Sequence, residues 1–107
     1  MPRGNVPVEA PALLAISNVA VFPILEPAGN TRALARVVLA GQLQLTGLRV
    51  VEGTQRLFVS YPNDPSYKGD DYHSSYYPVT RELREAVEAA VLAGYAEAIR
   101  EPTYNEW

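Results

Sequence analysis

Between Ile16 and Tyr61 apolar side chains fall in strand-length runs, alternating most clearly from Arg32 to Val50, and from Thr80 to Arg100 they recur at every third or fourth residue. A chain that carries a strand period first and a helix period afterwards folds as consecutive strands closed by one helix, an α+β arrangement. Ile16 to Leu25 is rich in branched residues and reads as a first strand, which Pro23 weakens near its end or places on an edge. Pro27-Ala28-Gly29-Asn30 is a turn, since Gly29 and Asn30 both tolerate positive φ. Arg32 to Ala40 is the second strand. Ala33, Ala35, Val37 and Leu39 share one of its faces, and Arg32, Leu34, Arg36 and Val38 share the other. Gly41 allows a tight connection to a third strand through Leu43, Leu45, Leu48 and Val50. The alternation slips by one residue at Gly47, which predicts a β-bulge there. Glu52-Gly53-Thr54-Gln55 turns the chain into a fourth strand, Leu57 to Tyr61. Three successive hairpins make an antiparallel meander of four to five strands the economical topology.

The helix that follows has a stripe of Leu83, Val87, Ala90, Val91, Gly94, Tyr95 and Ala98. Thr80 is placed to cap its N-terminus, and Glu82 and Glu85 put negative charge near the positive end of the macrodipole. Arg81 and Glu85, and Arg84 and Glu88, have the spacing for ion pairs along its surface. Arg100 suits the last turn, and Pro102 stops the helix. Between the fourth strand and the helix, Pro62 to Tyr77 is a connection without periodicity, holding Tyr67, Tyr72, Tyr76 and Tyr77. A loop this long inside a compact domain is usually functional or mobile.

A length of 107 residues sets one domain rather than two. The periodic segments place it at 15–101, with tails at 1–14 and 102–107. The chain has no cysteine, which removes disulfides, thiolate metal sites and cysteine nucleophiles. The segment from Leu13 to Leu25 is too short and too interrupted by Ser17, Asn18 and Pro23 to span a bilayer, and no secretory leader is visible. A soluble, cytoplasmic protein with no membrane contact is the expectation. The net charge of −3 argues against binding nucleic acid through bulk electrostatics and leaves local cationic patches to be examined.

No catalytic apparatus stands out. His73 is the only histidine, and its neighbours Asp70 and Asp71 would make at best a weak cation contact. Asp70-Asp71 lacks a nucleophile, a base partner or a cofactor motif around it. Gly29-Asn30 is no phosphate loop. We therefore expect no enzyme, no metal and no cofactor. Two binding features remain. The loop tyrosines, Tyr67 and Tyr72 among them, suit stacking on unpaired bases, a protein interface, or plain packing against the sheet. Arg81 and Arg84, at the start of the helix, form with Lys68 and Arg56 a candidate phosphate-facing patch. The opposing reading has both helix arginines merely paired with Glu85 and Glu88 on a solvated surface.

The text between these landmarks is distinctive. Ile16-Ser17-Asn18-Val19 precedes Gly29-Asn30-Thr31-Arg32-Ala33-Leu34-Ala35. Leu48-Arg49-Val50-Val51-Glu52-Gly53 and Leu57-Phe58-Val59-Ser60-Tyr61-Pro62 then follow in tandem. After the loop come Tyr77-Pro78-Val79 and the helical run Arg84 to Tyr95. In this order and spacing, residues 16 to 99 resemble the SpoVG family of small bacterial regulators. The resemblance implies an antiparallel sheet with a C-terminal helix, a homodimer, and gene regulation through DNA or RNA. A protein partner held by the tyrosine-rich loop at 61–77 is the alternative. The residues themselves also suggest a second copy. Leu34 and Val38 lie opposite Val37 and Leu39, one helix covers only one face, and the sheet has open edges.

Overall fold

In the computed structural model, residues 14–25, 29–66, 68–69 and 73–100 are described. The expected tails at 1–14 and 102–107 lie almost wholly outside them. Four strands, β1 (Ile16–Pro23), β2 (Thr31–Leu39), β3 (Leu43–Glu52) and β4 (Leu57–Ser60), precede one helix, α1 (Arg81–Arg100). The strands pair in chain order, each antiparallel to the next. The meander is therefore four strands, the lower of the two expected counts.

Alternation decides which side of the sheet is buried. Ala33, Ala35, Val37 and Leu39 of β2 are buried with Leu48 and Val50 of β3 beneath Val87 and Val91 of α1. Val19 and Val21 of β1, Leu57 and Val59 of β4, and Leu83, Leu92 and Tyr95 of the helix pack around this cluster. Leu92 falls outside the predicted stripe yet joins the core. Each fully buried Val or Leu contributes roughly 1.5–3 kcal/mol, so this one layer holds most of the domain's hydrophobic stabilisation. The helix approaches closely because its contact residue is small: a Cβ added at Gly94 would lie 2.9 Å from Val21 Cγ2.

The predicted bulge is present. Ala35 pairs with Leu48 and Val37 with Leu45, leaving an extra residue around Thr46-Gly47, with Gly47 at φ 85°. The Thr46 carbonyl accepts a hydrogen bond from the Tyr76 hydroxyl at 2.5 Å, so the bulge anchors the far end of the long loop. The tight turn after β2 sets both Ala40 (φ 54°) and Gly41 (φ 64°) in the left-handed region, and Gln42 N–H donates to Leu39 O at 2.9 Å. Ser17, at a second irregularity in β1, donates to Val38 O at 3.1 Å and accepts from Gly41 N at 2.9 Å. The loop is more regular at its base than the sequence suggests. Asn63 and Ser74 form a bridge, Asp64 N–H donates to His73 O, and Ser75 N–H donates to Pro62 O.

The helix start follows the sequence. Leu83 N–H donates to Thr80 Oγ1 at 3.2 Å, the capping bond that Thr80 predicts. The last turn holds an Arg100–Glu97 ion pair.

Candidate nucleic-acid interface

The structure divides the predicted cationic patch. Arg56, in the β3–β4 turn, donates through Nη1 to Glu88 Oε2 and to Leu57 O, each at 2.9 Å, and so ties that turn to the helix. The pairing of Glu88 with Arg84 gives way to this longer-range contact. Arg81 and Arg84 are exposed, and neither forms an ion pair among the described residues. Arg84 lies one helical turn before Glu88, so it shares a side of α1 with Arg56. Lys68 is exposed on the loop, with no ion pair or hydrogen bond joining it to these arginines among the described residues. Tyr67 and Tyr72, like Asp70 and Asp71, lie outside the described residues.

Two other tyrosines have structural duties. The rings of Tyr61 and Tyr76 meet edge to face, with centroids 6.0 Å apart, and both pack against the core. Burial, with Tyr61 beside it, pushes the Tyr76 hydroxyl up to about 12. Tyr61 is raised too, by burial first and by the Glu88 carboxylate second, while Arg84 opposes the shift. Packing is thus the role of Tyr76, whereas Tyr77 is 62% exposed. Near the loop's base Asp64 accepts from both the N–H and the hydroxyl of Ser66, which hold its carboxyl below the usual range.

A second cationic surface lies on the side of the sheet away from the helix. Phe22, Leu34, Arg49 and Ser60 are direct partners in one row across all four strands. Ala20 pairs with Arg36 and Val51 with Phe58 on the same face. The Arg36 guanidinium lies over the Phe22 ring, 5.3 Å from its centroid. Arg49 donates to Ser60 Oγ at 3.3 Å. Neither Arg36 nor Arg49 meets a carboxylate among the described residues. The only acidic residue in any strand is Glu52, at the end of β3, and Arg32 holds it at 2.7 Å. Charge is therefore partitioned. The helix mixes Arg81, Arg84 and Arg100 with Glu82, Glu85, Glu88 and Glu97, while the open face carries arginines alone. The signal for this surface was in the alternation itself, which sets Leu34 and Arg36 opposite the apolar run of β2.

The sequence pattern of the SpoVG family matches residues 14–97, spanning all four strands and nearly the whole helix. The chain belongs to the SpoVG family. A SpoVG septation protein of Symbiobacterium thermophilum is 43% identical over 67 residues, covering 63% of this chain and 47% of that protein. SpoVG 1 of Listeria monocytogenes is 29% identical over 82 residues, covering 77% of this chain and 78% of its own. The SpoVG protein of Archaeoglobus fulgidus is 36% identical over 69 residues, covering 64% and 80%. This chain thus spans about half the length of the Symbiobacterium SpoVG and about four-fifths of the Listeria and Archaeoglobus ones. Among the described residues of this SpoVG chain, no three His, Asp or Glu side chains gather as metal ligands, and no helix is long and apolar enough to cross a membrane.

Proposed function

We propose that this SpoVG-family chain is a non-enzymatic regulator that binds DNA or RNA as a cytoplasmic homodimer. The observation that carries the reading is the open face, where, among the described residues, Arg36 and Arg49 stand without carboxylate partners beside an exposed aromatic ring. In a chain of net charge −3, arginines that no described carboxylate neutralises suit an anionic partner. Arg81 and Arg84 offer a second set of phosphate contacts at the start of α1. The names of the relatives point to septation as the process regulated.

The homodimer rests on the edges of the sheet. Among the described residues both β1 and β4 leave one side of the strand unpaired, and open edges favour pairing. Beside β1 an apolar groove of about 660 Å³ runs between the strand and Ala86, Ala89 and Ala90 of the helix. A second copy seated there would extend the sheet and fill the groove. Light scattering should then give twice the chain's 11.7 kDa, and a mass of 11.7 kDa would remove the dimer from the reading.

Mobility shifts with single- and double-stranded DNA and RNA across a salt series test the function. Binding should weaken steeply with salt. Arg36→Ala with Arg49→Ala, or Arg81→Ala with Arg84→Ala, should flatten the slope of log K against log salt by about one unit or slightly less per lost phosphate contact. Absence of binding at low salt would sink the regulator. It would favour a protein-interaction module, for which Tyr77 and Val79, 62% and 84% exposed at the end of the loop, are the supporting observation.

A further inference from the structure

We propose that the open sheet face recognises unpaired bases, so that the preferred ligand is a single strand rather than a duplex. The inference rests on the nucleic-acid reading above and deepens it. Three features converge. Phe22 is 49% exposed although its ring is already oriented by the Arg36 guanidinium, which makes a preformed flat platform. A base extends this stack, over the outer side of the guanidinium or over the ring surface left exposed, and every base has a face for this. Beside the platform is a shallow recess of about 90 Å³ lined by Asn18, Val19, Ala20, Arg36, Val38 and Gln44. Its two amides offer donors and acceptors to the edge of a neighbouring base. Arg49 lies two strands from Phe22 in the same cross-strand row, roughly 10 Å away at ordinary strand spacing, where its half-buried guanidinium, held to Ser60 Oγ, meets no carboxylate among the described residues and suits a phosphate of the backbone.

A duplex cannot use this platform, because its base faces are already stacked on one another. A second copy is the rival occupant of the face. A two-fold, face-to-face contact would bring Arg36 and Arg49 of both copies into one desolvated layer with no carboxylate in the strands except Glu52, which Arg32 holds. That arrangement is electrostatically costly. An anionic strand instead supplies the charge that the face lacks.

The test is fluorescence anisotropy of the full chain against three labelled probes: a mixed-sequence DNA single strand, its duplex, and an abasic strand of equal length. The single strand should bind about ten-fold or more tightly than the abasic strand, the increment expected of one or two stacked bases. Phe22→Ala should remove about that ten-fold on the single strand and leave the abasic strand unchanged, and Phe22→Trp should restore it. Thermal melting confirms that each variant is folded. If Phe22→Ala melts too low to assay, the abasic comparison and Asn18→Ala decide. Equal affinity for all three probes, with Phe22→Ala indistinguishable from the parent, overturns the inference and leaves the phosphate-binding reading standing. No binding to any probe removes both. A fall in mass from dimer to monomer in Phe22→Ala shows the face covered by a second copy and also overturns the inference.

Discussion

The two sides of the sheet are built from the same strands, often from adjacent residues, yet they differ in kind. On β2, Ala33, Ala35, Val37 and Leu39 are buried under the helix. Between them, Leu34 is 49% exposed and Arg36 lies over Phe22. The covered side has small residues where the helix comes close and branched ones elsewhere, a composition set by packing. The open side has two arginines that meet no carboxylate among the described residues, an aromatic ring and amides, which packing does not require. A face that contributes little to stability while keeping charge that no described carboxylate offsets is where function is to be sought. Substitutions that treat the two faces differently test this contrast.

The largest effect belongs to the covered face. Val91 is completely buried against β2 and β3, so Val91→Asp places a carboxylate where nothing described can pair with it. The cost should be about 3 kcal/mol or more, a large part of the roughly 5–15 kcal/mol that holds a domain together. Urea denaturation measures it, and an unchanged midpoint would mean that the helix presents another side to the sheet.

Gly94→Ala probes the same face more finely. In an open helix the change gains about 1 kcal/mol in propensity. Here the new methyl would sit 2.9 Å from Val21 Cγ2, and valine has little freedom to turn aside. Overpacking of this kind costs about 1–3 kcal/mol, so a net loss near 1 kcal/mol is expected. A gain would show that helix and β1 are less closely apposed.

How far the sequence foretold this contrast depends on the range of the interaction concerned. Local periods carried the strands, the helix, its Thr80 cap and the bulge at Gly47, because each is written within a few residues. The face of α1 was equally legible, since Val87 and Val91 are one turn apart. The cationic patch was less so. Arg84 and Glu88 have the local spacing for a pair, but Glu88 is taken by Arg56, 32 residues away, and no spacing rule encodes that contact. The loop's tyrosines were equivalent in sequence. Their roles separated only when the bulge offered the Thr46 carbonyl to Tyr76, a bond spanning 30 residues. The pairing of Arg36 with Phe22 likewise required the β1–β2 register, which shifts near Ser17 and cannot be counted from the hairpin alone.

At the rim of the covered face, pH separates core from surface. Tyr76 is raised from 10.0 to about 12 by burial and by Tyr61, so the folded state holds this proton more tightly than the unfolded chain does. Its contribution is complete below pH 10, where both states are protonated. It is lost as pH rises from there through about 12, because the unfolded tyrosine ionises first. The melting temperature should therefore fall across that interval. Tyr76→Phe should lessen the fall and, with the bond to Thr46 removed, lose about 1 kcal/mol at neutral pH. A fall of equal size in the variant would assign the alkaline transition to other groups.

The smallest effect should come from the centre of the open face. Leu34 stands between Phe22 and Arg49 in the cross-strand row, at the position corresponding to the hydrophobic centre on the covered side. A fully buried leucine loses about 2–5 kcal/mol on truncation to alanine, most of it from transfer and cavity formation. Leu34 is 49% exposed and leaves no cavity when shortened, so only part of its apolar contact with Phe22 and the arginine stems is lost. Leu34→Ala should cost less than about 1 kcal/mol in urea, and the dimer proposed above should keep its mass. The measurement bears directly on the contrast between the faces. A cost of core size, or a dimer that dissociates, would mean that Leu34 is buried in solution by another copy, and the sheet would then have two packed sides rather than one packed and one free to bind. A small cost with reduced affinity for single strands would instead place Leu34 on the binding surface, where its loss is felt only when a ligand covers it.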